Sequence, residues 1–107
     1  MLAALPRFLI LMTLDLLESI EVGGVDAMAH AAVARLEQAR VHSPTARVRP
    51  APTGEDPTTI EVTFVVEADD EHGAAARAKE LEAVLREALL GRVLGVVLQA
   101  RPLSLGG

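Results

Sequence analysis

From Arg7 to Leu17 apolar side chains fall on both faces of an alternating pattern. Phe8, Ile10, Met12, Leu14 and Leu16 form one face; Leu9, Leu11, Thr13 and Asp15 form the other, which turns polar toward its end. A strand apolar on both sides belongs in the middle of a sheet. A buried helix shares this short apolar signature, but Phe8, Ile10 and the lack of alanine in the run favour a strand. Gly23 and Gly24 then break the chain, and Asp26 can cap a helix started there. Val25, Met28, Ala29, Ala32, Val33 and Leu36 recur at the spacing i, i+3, i+4, i+7, which predicts an amphipathic helix over 26–40. Ser43-Pro44 ends it, because the residue before a proline is driven out of the helical region. Ala46 and Val48, with Arg47 and Arg49, suggest a short strand, which Pro50 and Pro52 confine to a sheet edge. Residues 50–57 (PAPTGEDP) read as a turn-rich hairpin loop.

Thr58 to Ala68 is the clearest strand. Ile60, Val62, Phe64, Val66 and Ala68 point one way, Glu61, Thr63, Val65 and Glu67 the other. Asp69-Asp70 cap a second helix over 71–90, with Ala74, Ala78, Leu81, Leu85, Ala88 and Leu89 as its buried stripe and Gly91 as its stop. Val93 to Arg101 forms a last strand, with Leu94, Val96, Leu98 and Ala100 on its inner side. The order β-α-β-β-α-β interleaves two right-handed crossovers into an α+β fold. Its expected form is the ferredoxin-like βαββαβ plait, a four-stranded antiparallel sheet with both helices on one face. Strands one and three are central, and the proline-flanked strand falls at an edge, as its chemistry requires independently. One domain spans 1–107, with 1–6 as an N-terminal extension and 102–107 as a flexible tail.

Two helices cover only one face of such a sheet. The other is expected to carry Leu9, Leu11, Val65, Val93 and Val97 at its centre, rimmed by Arg47, Arg49, Glu61 and Glu67, with Thr13, Asp15, Thr63, Gln99 and Arg101 nearby. A monomer rarely leaves an apolar patch of this kind open. The expectation is a homodimer, or a protein partner, docked on this face. The competing reading is that residues 1–5 or the tail fold back over it.

Composition narrows the chemistry. Half of the 107 residues are apolar, but only Phe8 and Phe64 are aromatic, and there is no Cys, Trp, Tyr or Asn. Disulfides, thiolate metal sites and cysteine nucleophiles are therefore excluded. A net charge of −5 and the missing aromatics argue against nucleic acid, which needs cations for phosphate and exposed rings for stacking. Phe8 and Phe64 are both assigned inward. The apolar run at 8–14 is too short to span a membrane and is cut off by Asp15, Glu18 and Glu21. No A-x-A-like cleavage site follows it, so a cytoplasmic protein is expected. Eighteen Ala and nine Arg against one Lys suggest a high-GC bacterium or phage.

No motif carries catalysis. Asp69, Asp70, Glu71 and His72 crowd four ionisable groups together, a pattern that fits a helix N-terminus better than an ion site. His30, His42 and His72 show neither HxH nor HExxH spacing. No catalytic residue, metal or cofactor is implied. Gly23 and Gly24 open a helix after the first strand. In placement they resemble the ligand-contacting glycine loop of plait domains of the amino-acid-sensing ACT kind. That resemblance implies a small ligand at this loop and a regulatory dimer. The chain ends in Leu105-Gly106-Gly107, and Ile20-Glu21-Val22 with Asp26 and Met28 resembles part of a ubiquitin-type β-grasp. This second resemblance implies a ubiquitin-like or sulfur-carrier role for a free Gly106-Gly107 carboxylate. The long helix at 71–90 departs from that fold. Two terminal glycines are also what a frayed end looks like.

Overall fold

The computed structural model of the chain describes residues 5–16, 24–49, 58–89 and 91–103. The elements are β1 (Arg7–Leu16), α1 (Gly24–Gln38), β2 (His42–Val48), β3 (Thr59–Glu67), α2 (Glu71–Ala88) and β4 (Val93–Pro102). The sheet runs β2-β3-β1-β4 with every neighbouring pair antiparallel. This is the ferredoxin-like plait, with β1 and β3 central. The expected loop at 50–57 and most of the expected tail lie outside the described residues.

Alternation decides which side chains meet the helices. Ile10, Met12, Leu14, Ile60, Val62 and Phe64 have no exposed surface, and Phe8, Leu16 and Val66 have almost none. Above them lie the α1 stripe Val25, Ala29, Ala32 and Leu36 and the α2 stripe Ala74, Ala78, Leu81 and Leu85. Alanine at half of these positions lets the helix backbones come close to the sheet while leucine fills the remaining depth. The core contains no buried polar or charged residue among those described.

The helix ends follow local chemistry. Asp70 is extended, at φ −151°, and its carboxylate accepts the Gly73 N–H at 2.7 Å, so it caps α2 as expected. Gly91, at φ 72°, takes the left-handed conformation just past α2, and its N–H donates to the Arg86 carbonyl at 3.1 Å. At the start of α1, Asp26 lies inside the first turn rather than before it. Its charge still faces the positive end of the helix dipole.

Two elements depart further from expectation. Helix α1 stops at Gln38, well before Ser43-Pro44. Arg40 sits at φ 61°, its N–H donates to the Glu37 carbonyl at 3.1 Å, and the Val41 N–H donates to the Leu36 carbonyl at 3.4 Å. This crossed pair closes the helix without help from proline. The freed residues start β2 early, at His42, so Pro44 lies within the strand. It is tolerated because β2 is an edge strand and its register with β3 shifts between His42 and Thr45, with Ser43 at φ 50°.

The second difference lies in β4. Asp15 pairs with Gly95, but the next β1 residue, Leu16, pairs with Val93. One step on β1 thus matches two on β4, and Leu94 is the extra residue of a bulge. Because strand side chains alternate, the bulge reverses the faces beyond it. Val93, expected on the open face, is instead 8% exposed and belongs to the core. Leu94, expected inward, is 64% exposed.

Candidate functional site

The face of the sheet turned away from the helices is an ordered grid. Read from β2 to β4, one row holds His42, Val65, Leu9 and Arg101; the next Thr45, Thr63, Leu11 and Gln99; the next Arg47, Glu61, Thr13 and Val97. Below them Thr59 pairs with Asp15 and Asp15 with Gly95; above them Glu67 pairs with Arg7. Seven of the nine expected face residues sit in this grid: Leu9, Leu11, Val65, Val97, Arg47, Glu61 and Glu67; Arg49, just past β2, joins them through its side-chain bond to Glu61. Val93 does not, because the β4 bulge turns it into the core.

The side chains of the β2–β3 half are tied to one another. Glu61 is the anchor: Arg47 Nε donates to one carboxylate oxygen at 2.8 Å and Arg49 Nε to the other at 2.8 Å, with Arg49 Nη2 at 2.7 Å. Such charge-assisted pairs favour the ionised acid. The hydrogen bond from Arg49, then that from Arg47, holds the Glu61 carboxyl below its ordinary value of 4.5. One row up, the Thr45 and Thr63 hydroxyls bond across the strands. At the top, Glu67 faces Arg7 at 3.6 Å and His42 at 3.3 Å. Near the bottom, the Thr59 hydroxyl donates to Asp15 at 3.1 Å.

Leu9, Leu11 and Val65 are half-buried, whereas Val97 on the edge strand is 56% exposed. The apolar centre is therefore smaller than the sequence suggests. Sequence reading also misses the threonine pair and the His42–Glu67 contact, which depend on the register of an edge strand that starts with a bulge. It misses exposed Leu94 as well, although Gly95 inside a strand is an available signal for a bulge.

The other expected sites fare differently. Gly24 is the first residue of α1, so it forms part of a helix turn; Gly23 lies outside the described residues, as do Gly106 and Gly107. Asp69, Glu71 and His72 are exposed beside the Asp70 cap. The His30 ring bonds the Asp26 carbonyl through Nδ1 at 2.8 Å, within its own helix. Among the described residues, no three His, Asp or Glu side chains come together as metal ligands would, and no helix is long and apolar enough to cross a membrane.

No protein-family model and no curated protein matches the chain. Solved structures do. A dimeric ferredoxin-like protein from Thermobifida fusca superposes with a TM-score of 0.61 at 10% identity, over 96% of this chain and 97% of that one. A dimeric protein of ferredoxin-like fold from Bacteroides fragilis gives 0.60 at 8% identity, over 94% and 100%. A dinuclear metal-binding peptidase from Bacillus subtilis matches 94% of this chain but only 28% of its own, at 14% identity and a TM-score of 0.56. At such identities the likeness is one of fold: the chain is a ferredoxin-like plait, similar to small dimeric proteins built on the same frame.

Proposed function

We propose that the chain is an assembly module that pairs with a second copy of itself through the open sheet face. The observation that carries this reading is the grid itself, an aliphatic centre inside a rim of nearly balanced charge. Arg7, Arg47, Arg49 and Arg101 oppose Asp15, Glu61 and Glu67. A face with no strong charge of one sign can meet its own copy without repulsion.

The order of residues favours one arrangement. About a two-fold axis parallel to the strands and midway between β3 and β1, β1 of one copy lies over β3 of the other. Leu9 then meets Val65, and Arg7 meets Glu67, each twice. About an axis perpendicular to the strands, Val65 would lie over Glu61 and Leu9 over Thr13, a poorer match. Four strands about 4.8 Å apart and about 30 Å long offer roughly 600 Å² per copy. Twice that area stands at the lower edge of specific interfaces, so a weak dimer is expected. The dimeric state of the Thermobifida and Bacteroides proteins supports the reading.

Sedimentation equilibrium over a concentration series tests it. The wild-type mass should rise from one copy to two, and Leu11→Glu, with an unchanged circular dichroism spectrum, should stay monomeric. A wild-type chain that is still monomeric at millimolar concentration overturns the proposal.

A further inference from the structure

We propose that the cleft at the corner between α1 and β2 binds a small oxyanion, phosphate or carboxylate. This cleft, about 180 Å³ in volume, is lined by Arg40, His42, Glu67 and Arg77 over a floor of Val41, Val65 and Val66. In a chain of net charge −5, three of its four ionisable lining residues are potential cations. Glu67 is the exception, and its carboxylate is already shared by Arg7 and His42. Arg77 reaches Glu80 at 2.9 Å. Arg40 has no carboxylate within ion-pair distance among the described residues.

Arg40 is also the residue in the left-handed conformation that closes α1. Glycine fits that position with less strain. The negative end of the helix favours a cation nearby, but Arg35 already stands in the last turn. Among the described residues no ion pair accompanies the strain of an arginine at position 40, and a bound anion would supply one. A strained residue with no ion pair among the described residues points to a binding role.

The backbone adds a donor. The Arg49 N–H bonds the Thr59 carbonyl at 2.9 Å, so odd-numbered residues of β3 turn their backbone groups toward β2. The last β3 residue with a β2 partner is Val65. Glu67 continues the strand with no β2 residue opposite, so by the same alternation its N–H lies on the β2 side, where Glu67 lines the cleft. Arg40, His42 and Arg77 thus line one cleft with Glu67, and guanidinium, imidazole and backbone N–H groups are the donors an oxyanion takes.

The test is an amide chemical-shift titration of the labelled protein with inorganic phosphate and, separately, with acetate, at constant ionic strength set by chloride. Saturable shifts are expected at His42 and Glu67; the anion that saturates at lower concentration identifies the preferred oxyanion. R40G should weaken binding about tenfold while its thermal midpoint stays level or rises. R40Q, which keeps the strained backbone and loses the charge, should weaken binding equally. Absence of saturable shifts with both anions, or wild-type affinity in R40G or R40Q, overturns the proposal.

Discussion

The bulge in β4 makes two valines of one strand opposite in kind, and truncating each to alanine measures the difference. Val93 is 8% exposed beside Leu16, while Val97 is 56% exposed on the open face. Each Val→Ala change removes the equivalent of two methylenes, about 1.6 kcal/mol of transfer free energy when fully buried. At Val93 a cavity adds to this, since the surrounding core relaxes only in part, so about 2 kcal/mol is expected. At Val97 less than half of that surface is shielded from solvent, no cavity forms, and about 0.7 kcal/mol is expected. For a domain of this size 1 kcal/mol lowers the midpoint by about 4–8 °C, so Val93→Ala should melt roughly 10 °C early and Val97→Ala about 3 °C. Thermal unfolding followed by circular dichroism reads both, at a protein concentration where sedimentation shows one copy. Any cost of dimer dissociation is then absent from both values. The strand propensity lost is the same in each variant and cancels in the comparison. Equal shifts, or a larger shift at Val97, would refute the bulge and restore a regular alternation through Val93.

Further outcomes rest on the same geometry. Asp70→Ala should cost about 1 kcal/mol in urea unfolding through loss of the α2 cap, and Asp70→Asn should recover most of it. Gly91→Ala should cost about 1 kcal/mol from backbone strain alone, because no atom lies within 4 Å of the added methyl group while φ is 72°. Glu61 has its carboxyl held below 4.5 by Arg49 and Arg47, so the folded chain resists its protonation more than the unfolded chain does. Its stabilisation is present above pH 4.5 and lost as the pH falls through the lower folded value. Glu61→Gln should therefore be less stable than wild type at neutral pH, with the gap closing as the pH falls below 4.5 and through the lower folded value; a constant gap would show that the arginines do not act on the charge.

How much of the fold is legible in the chain depends on whether one face of an element is unambiguous. Alternation at 59–67 and 7–16 places Phe64, Ile10 and Leu14 in the core, and the pair Asp69-Asp70 before α2 contains its cap, Asp70. The plait emerges from element order once the two central strands are recognised by their apolar faces. The segment Val93-Leu94-Gly95-Val96-Val97-Leu98 defeats the same logic, because aliphatic residues occupy both faces and a bulge reverses their phase without changing composition. Edge strand β2 reads too short since Pro44 suggests a helix end, and the closure at Arg40 depends on a conformation that arginine seldom adopts. At the open face, Leu9, Leu11 and Val65 are visible as surplus aliphatics. How far each is covered by its neighbours depends on side-chain reach, which one-dimensional pattern does not encode.

The central place of β1 has a consequence for the order in which the chain acquires structure. Both of its partners come later in sequence: Phe8 pairs with Val66 and also with Pro102. During synthesis the most apolar strand is made before either neighbour, and its second neighbour is among the last residues of the sheet. Contacts of such long sequence separation slow folding and prolong the exposure of unpaired apolar segments. The β2–β3 hairpin, together with the helices of the two crossovers, can form early, but the sheet closes only when β4 arrives. A ribosome-bound chain truncated before residue 93 should thus leave β1 with an unpaired edge, the state in which this protein would most need a chaperone.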